Sequence, residues 1–120
     1  MTNKPKYHLF NNTTYALNGL KIAIKDEKSF QIEVVIFIIL QIGIFILPIE
    51  NFYQMILSSS LFLVIIAELV NSAIERVVDL VTTDIHPLAK EAKDLGSSVV
   101  FMTIMMIAVI WGFVGYMILI

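Results

Sequence analysis

The sequence predicts an all-α membrane protein: a single domain over residues 1–120, with three transmembrane helices preceded by an amphipathic interfacial helix. Hydrophobic residues make up 58% of the 120 residues and the mean hydropathy is +0.87, whereas soluble domains contain about 45–50% apolar residues. The apolar residues form three runs of the length, about 17–25 residues, that a membrane span requires. Cysteine is absent, which excludes a disulfide framework and a cysteine metal site. The polar, basic start of the chain does not resemble a removable signal peptide.

Residues 11–28 are predicted to form the amphipathic helix. Tyr15, Leu17 and Leu20 are interleaved with Asn18 and with lysines. This pattern is typical of a helix that lies in the membrane interface with its lysines among the headgroups. An ordinary helix packed against the cytosolic side of the bundle fits the same pattern.

The three spans are predicted over residues 32–49, 55–81 and 99–120. The first is interrupted by Glu33 near its start and by Gln41 in its middle. The second ends before a proline-containing segment, because the residue before a proline is biased away from the helix, and the third carries no charge. We expect Gln41 and the three consecutive serines of the second span to hydrogen-bond between helices.

Residues 82–98 are predicted to form a cytoplasmic loop that contains a short polar helical stretch over residues 88–95. All eight lysines and arginines lie either before the first span or around the second connection. Because positive residues favour the cytoplasmic side of a membrane, the N-terminus and this loop are expected in the cytoplasm and the C-terminus outside. The cations are Lys4, Lys6, Lys21, Lys25, Lys28, Arg76, Lys90 and Lys93.

The second span ends in a row of polar residues on one helical face. Glu68, Asn71, Glu75 and Asp79 are spaced three, four and four apart, and residues at these spacings lie one above the other on a helix. At about 1.5 Å per residue, Glu68 lies roughly 20 Å into a core of about 30 Å. Ionisable groups at such depth are costly, about 2.5–3.5 kcal/mol each on insertion scales, and are functional candidates.

Further charged residues are predicted at the cytoplasmic level of this row, so that a ring of charge lies where a lipid headgroup and a soluble phosphate donor could meet. The ring comprises Glu27 and Glu33 at the first span, and Lys93 and Asp94 ahead of the third. Carboxylates are ligands for Mg²⁺ that is also bound by substrate phosphates, and a lysine can neutralise charge in phosphoryl transfer.

Two structural alternatives stand beside this interpretation. Glu75 and Asp79 could simply pair with the neighbouring cations at a helix boundary, and this alternative is favoured for Asp79 alone. Lys93 could be no more than a positive anchor at the cytoplasmic surface. The depth of Glu68 favours a catalytic role, that of a general base. No Walker A sequence, kinase glycine loop or dinucleotide fingerprint is present.

These motifs together resemble the prokaryotic diacylglycerol kinase family, and the resemblance covers nearly the whole chain. The segments that carry it are Tyr15-x-x-x-Gly19-Leu20, Glu27-x-x-Phe30-x-x-Glu33, Glu68-Leu-Val-Asn71-Ser72-Ala73-Ile74-Glu75-x-Val-Val-Asp79 and Ala92-Lys93-Asp94-x-Gly96-Ser97.

The resemblance implies a bacterial inner-membrane kinase that uses ATP and Mg²⁺ to phosphorylate diacylglycerol to phosphatidate. It implies a homotrimer with sites shared between neighbouring subunits, and no nucleic acid partner. Glu68 would be the catalytic base, and Glu27 and Glu75 would hold the metal. The nucleotide would meet these two and Tyr15, Asn71, Asp79, Asp84, Ile85, His86, Lys93 and Asp94. The lipid would meet Glu68 and Ser29, Phe30, Glu33, Ser97 and Trp111.

The chain departs from the family pattern at two positions. His8 stands where an arginine is common, and Ile32 replaces a polar residue. A sister branch phosphorylates undecaprenol and often carries the sequence His-Pro-Leu-Ala-Lys, found here at residues 86–90, but it tends to have histidine at the position of Glu33. Diacylglycerol is therefore favoured over undecaprenol. A small proton-coupled transporter is an alternative of another class, although a single deep carboxylate usually suffices there.

Overall fold

The computed structural model describes residues 9–120, which form four helices. They are α1 (Leu9–Asp26), α2 (Lys28–Ile46), α3 (Asn51–Val81) and α4 (Pro87–Leu119). No strand occurs in this part of the chain, and α2, α3 and α4 are long and apolar enough to cross a membrane. The predicted all-α membrane fold is confirmed. His8 lies outside the described residues.

The helix bounds differ from the predicted ones at two connections. Glu27 alone separates α1 from α2, so α2 starts four residues earlier than predicted. The predicted loop over residues 82–98 is wrong from Pro87 onward, because residues 87–98 are the first turns of α4. Pro87 is suited to the first helical position, and the His86 side chain caps the helix by accepting a hydrogen bond from the Leu88 N–H (3.1 Å). The polar stretch is therefore continuous with the third span.

The 31 residues of α3 and the 33 of α4 correspond to about 46–50 Å at 1.5 Å per residue. A hydrocarbon core of about 30 Å leaves several turns of each helix outside it. These extra turns carry the charged residues at the C-terminus of α3 and the N-terminus of α4. The two helices therefore bring their polar ends together at one side of the bundle.

The helices are joined by an apolar cluster and by polar contacts between spans. Ile44 of α2, Leu57 and Leu61 of α3, and Val114 of α4 form the buried cluster. The expected inter-helix hydrogen bonds are present for Gln41, Ser58 and Ser60 but not for Ser59 within the described residues. Gln41 donates to the Ser58 carbonyl (3.0 Å) and accepts from the Ser58 hydroxyl (2.6 Å). On the other side of α3, the Trp111 indole donates to Ser60 Oγ (2.9 Å). In lipid such bonds satisfy groups that water cannot reach.

Gly96 sets the approach of α4 to α3 beside the polar row. A Cβ at this position would collide with Asn71 Oδ1 and lie 3.5 Å from Ile74 Cδ1. Gly96 is buried, and a larger side chain could be accommodated only if the two helices separated or Asn71 moved. The glycine therefore fixes both the helix packing and the position of an amide in the candidate site.

We expect Gly96→Ala to lower the free energy of unfolding by about 1–3 kcal/mol, the usual cost of overpacking. Gly112→Ala in the same helix is the matched control, because a Cβ there would meet nothing within 4 Å in the protomer and alanine has the higher helix propensity. Unfolding in mixed micelles, followed by circular dichroism, measures both variants. Equal stability of the two would show that Gly96 does not set the helix spacing.

Candidate functional site

The polar row of α3 runs from the interior of the bundle to its charged end. Glu68 is buried, Asn71 and Glu75 are partly buried, and Asp79 is exposed. This gradient follows from one helical face that is covered by α2 and α4 at its start and uncovered at its end. The carboxylates are thus presented at different depths, and Glu68 is 7% exposed.

Glu68 faces a second acidic side chain, Glu33 of α2. Glu33 is a close acidic neighbour of Glu68, and Glu33 Oε2 is buried with no hydrogen-bond partner in residues 9–120. Two acidic side chains therefore lie close together at the buried end of the row.

Asn71 and Glu75 are linked along the helix. Asn71 Nδ2 donates to Glu75 Oε1 (3.3 Å), while Asn71 Oδ1 is buried, has no hydrogen-bond donor in the described part of the chain, and lies against Gly96. The bond orients the Glu75 carboxylate. It leaves that carboxylate available to a cation, since its partner is a neutral amide.

Three of the other four acidic positions predicted at the nucleotide have a cation as partner, and Asp84 forms no ion pair within the described residues. Glu27 Oε1 accepts from Arg76 (3.1 Å), Asp79 from Lys93 Nζ (2.7 Å), and Asp94 from Lys90 Nζ (2.6 Å). The Asp79–Lys93 pair matches the structural alternative for Asp79. Exposed pairs of this kind contribute at most about 1 kcal/mol and exchange readily. These side chains can therefore separate when a more highly charged partner arrives.

Lys90 and Lys93 lie in the turns of α4 that precede the uncharged span. The hydrogen bond to Asp94 raises the pKa of Lys90 above its usual range, and the hydrogen bond to Asp79 does the same for the pKa of Lys93. Both ammonium groups are therefore positive at neutral pH, as the binding of a phosphate chain requires.

Several predicted site residues lie apart from the row within the protomer. Phe30 is 1% exposed and is packed inside the bundle, and the Trp111 indole is bonded to Ser60. His86 caps α4, and Asp84 donates its N–H to Thr82 Oγ1 (3.1 Å). Within residues 9–120, no hydrogen bond or ion pair links the row to Tyr15, Ser29, Asp84, Ile85, His86, Ser97 or Trp111.

Two cavities adjoin the acidic residues. One of about 510 Å³ lies between α1 and α3, is mostly apolar, and includes Glu27, Ser72 and Arg76 in its lining. The other, of about 320 Å³, extends from Glu33 along apolar side chains of all three long helices, among them Phe37. Each cavity combines an apolar wall with an acidic group, an arrangement suited to an amphipathic ligand.

The acidic side chains fit a magnesium ion only if a ligand supplies the remaining oxygens. Within residues 9–120, no three acidic or histidine side chains converge on one point. Mg²⁺ is commonly held by one or two carboxylates together with substrate phosphates. Glu27 and Glu75 supply hard oxygen donors of that kind.

The comparison with known proteins agrees with the motifs on α3 and α4. Residues 14–115 match the family model for prokaryotic diacylglycerol kinase. The chain belongs to the prokaryotic diacylglycerol kinase family. Proteins named diacylglycerol kinase include relatives in Haemophilus influenzae, 41% identical over 105 residues (88% of this chain and 89% of the relative), and Pseudomonas aeruginosa, 36% over 103 residues (86% and 84%). The relative in Escherichia coli is 35% identical over 97 residues (81% and 80%).

The sequence interpretation missed two residues at this family site. Arg76 occupies the one variable position inside the central motif, and Gln31 lies between Phe30 and Glu33. Gln31 Nε2 donates to the Ile24 carbonyl (2.8 Å) at the end of α1. The Gln31 contact depends on the turn at Glu27, and the contact of Arg76 with Glu27 depends on how α1 lies against α3. No periodic pattern gives a signal for either.

Proposed function

We propose that this chain transfers the γ-phosphoryl group of ATP to the free hydroxyl of diacylglycerol, producing phosphatidate at the cytoplasmic face of the bacterial inner membrane. The observation that carries the proposal is the depth gradient of the α3 row. The buried Glu68 suits a hydroxyl brought by a membrane lipid, and the exposed end, with Lys93, suits a soluble nucleotide. Membership of the diacylglycerol kinase family and the names of the relatives support the choice of lipid.

Glu68 is the base in this mechanism. Its carboxylate accepts the hydroxyl proton as the lipid oxygen bonds to the γ-phosphorus and the bond to the β–γ bridging oxygen breaks, releasing ADP. Phosphoryl transfer otherwise needs mainly positioning and charge neutralisation, which the remaining polar residues of the site provide.

The nucleotide occupies the exposed end of the row. Lys93 leaves its ion pair with Asp79 and binds the phosphates, while Asn71 keeps the Glu75 carboxylate oriented. Glu27 and Glu75 would hold Mg²⁺, which neutralises the charge of the phosphate chain when it is bound. The other proposed nucleotide residues are Tyr15, Asp79, Asp84, Ile85, His86 and Asp94, and the lipid side comprises Ser29, Phe30, Glu33, Ser97 and Trp111.

A homotrimer belongs to the same proposal. Tyr15, Ser29 and Ser97 are exposed in the protomer and have no polar contact with its acidic row within the described residues. Their separation from the row is expected if a site is completed by a neighbouring copy. The extensive apolar surface of α2 and α4 provides area for both lipid and subunit contacts.

The experiment that tests the function is transfer of labelled phosphate from ATP to lipid by the purified protein in mixed micelles. Diacylglycerol and undecaprenol are offered separately and the products are separated by thin-layer chromatography. We expect labelled phosphatidate. Labelling of undecaprenol alone would assign the chain to the sister activity, and labelling of neither lipid would refute the kinase.

Replacement of Glu68 by glutamine should lower turnover by about 10²–10⁴-fold, the usual contribution of a general base, while ATP affinity is retained. Glu50→Gln is the matched control, since this exposed residue stands at the N-cap position at the opposite end of the same helix and its carboxylate makes no capping hydrogen bond. Turnover and equilibrium ATP binding are measured for both variants. Loss of ATP binding with an unchanged rate at saturating ATP would make Glu68 a ligand instead of the base.

The proposed orientation has the N-terminus in the cytoplasm and the C-terminus in the periplasm. Because the chain has no cysteine, single cysteines report on one position each. Cysteines at Asn51 and Ile120 should react with an impermeant thiol reagent applied to intact spheroplasts, and one at Thr83 should react only after lysis. Labelling of Thr83→Cys from outside, with Asn51→Cys protected, would reverse the orientation.

A further inference from the structure

Glu27 is the joint between two helices. It is the single non-helical residue between α1 and α2, with an extended backbone (φ −106°, ψ 107°). Its N–H donates to the Ala23 carbonyl, and its own carbonyl accepts from the Gln31 N–H, both at 3.0 Å. Gln31 also caps α1 through its side-chain bonds to the Ile24 and Lys25 carbonyls (2.8 and 3.3 Å). The backbone of the joint is therefore held, but these bonds leave the Glu27 carboxylate free to turn.

Arg76 of α3 is the group that holds this carboxylate. The same guanidinium nitrogen lies 3.1 Å from Glu27 Oε1 and 3.8 Å from Asp26 Oδ2. Within residues 9–120 no other ion pair connects α3 with α1 or with the joint. The two helices are otherwise separated at this level by the cavity of about 510 Å³, which both Glu27 and Arg76 line.

The position of Arg76 in the row gives this contact its significance. Arg76 directly follows Glu75, so the cation that binds Glu27 is anchored one residue from the other carboxylate of the proposed metal pair. A guanidinium cannot lose its charge in proteins, and its contact keeps the Glu27 carboxylate turned towards α3. A divalent cation that binds Glu27 must displace this contact.

We propose that Arg76 is a positioning residue for Glu27. Its guanidinium holds the Glu27 carboxylate beside α3 until a divalent cation binds that carboxylate in its place. The proposal rests on the proposed function, in which Glu27 is a metal ligand. Arg76 touches no reacting atom in this role. It keeps α1 and α3 in register before the nucleotide arrives.

The Arg76–Glu27 contact, which links α3 to the end of α1, can be tested without an activity assay. A spin label on a single cysteine at Asn18, exposed on α1, reports the mobility of that helix in the full-length protein in EDTA. We expect both Arg76→Gln and Glu27→Gln to raise the mobility, and Arg76→Gln at least as much as Glu27→Gln because it also loses the 3.8 Å contact with Asp26. The double variant should raise the mobility no further than Arg76→Gln alone, because the Glu27 contact is already broken in that variant. Arg76→Lys should keep most of the contact and therefore leave the label mobility close to that of the wild type. Additive effects, or wild-type mobility in Arg76→Gln, would overturn the proposal.

The exchange with metal is tested by the Mg²⁺ dependence of lipid phosphorylation at saturating ATP. Without its competing cation Glu27 should bind metal more tightly, so Arg76→Gln should lower the half-maximal Mg²⁺ concentration by about two- to fivefold, the scale of an exposed ion pair. Lys21→Gln removes one exposed charge from α1 that forms no ion pair within the described residues, and is the control for general electrostatics. An Arg76→Gln midpoint equal to that of the control, or a raised one, would overturn the proposed exchange.

The same series separates this proposal from the proposed function. If Glu27→Gln retains wild-type turnover and Mg²⁺ dependence, Glu27 is not a metal ligand and that assignment fails, whatever Arg76 does. If Glu27→Gln loses its Mg²⁺ response while Arg76→Gln leaves label mobility and Mg²⁺ midpoint unchanged, the metal assignment stands and the role of Arg76 is refuted.

Discussion

A carboxylate that leaves water must be matched by a proton, a cation or a hydrogen-bond donor, and the polar end of this bundle is organised by that requirement. Burying an ion that lacks such partners costs several kcal/mol of free energy. The acidic side chains meet the requirement in different ways: Glu27 through Arg76, Glu75 through the Asn71 amide, and Asp79 through Lys93. These partners come from α3 and α4, so the packing of the helices determines which partner each acidic residue contacts.

Contacts in the apolar half of the bundle determine how the three long helices pack. Gln41 and Ser58 exchange two hydrogen bonds between α2 and α3, and Trp111 donates to Ser60 between α4 and α3. Such contacts hold the helices at fixed rotation about their axes where apolar side chains alone would let them slide. Gly96 then allows α4 to approach Asn71 closely. The packing of the apolar half thus determines which side chains come together at the charged end.

The row on α3 could be predicted because helical periodicity is local: spacing alone places Glu68, Asn71, Glu75 and Asp79 on one face. The inter-helix role of Gln41 was equally predictable, since a buried amide in lipid must find a partner. The continuity of α4 was not predictable in this way: the sequence predicts a short helical stretch over residues 88–95 separate from the third span, whereas the His86 cap and Pro87 begin one helix that runs through both. The Arg76–Glu27 contact spans 49 residues. It depends on the single-residue joint that turns α1 back over α3, which no sequence pattern specifies.

The distribution of the predicted site residues over the protomer follows from its shape. Three long helices side by side can bring one face of α3 together with the ends of two neighbours, but they cannot surround a ligand as large as a nucleotide. The row therefore presents its carboxylates beside Lys93 of α4, while Tyr15, Ser29 and Ser97 lie outside its polar contacts within the described residues. A neighbouring copy of the same bundle, as in the proposed trimer, would cover this face with residues that the protomer leaves exposed.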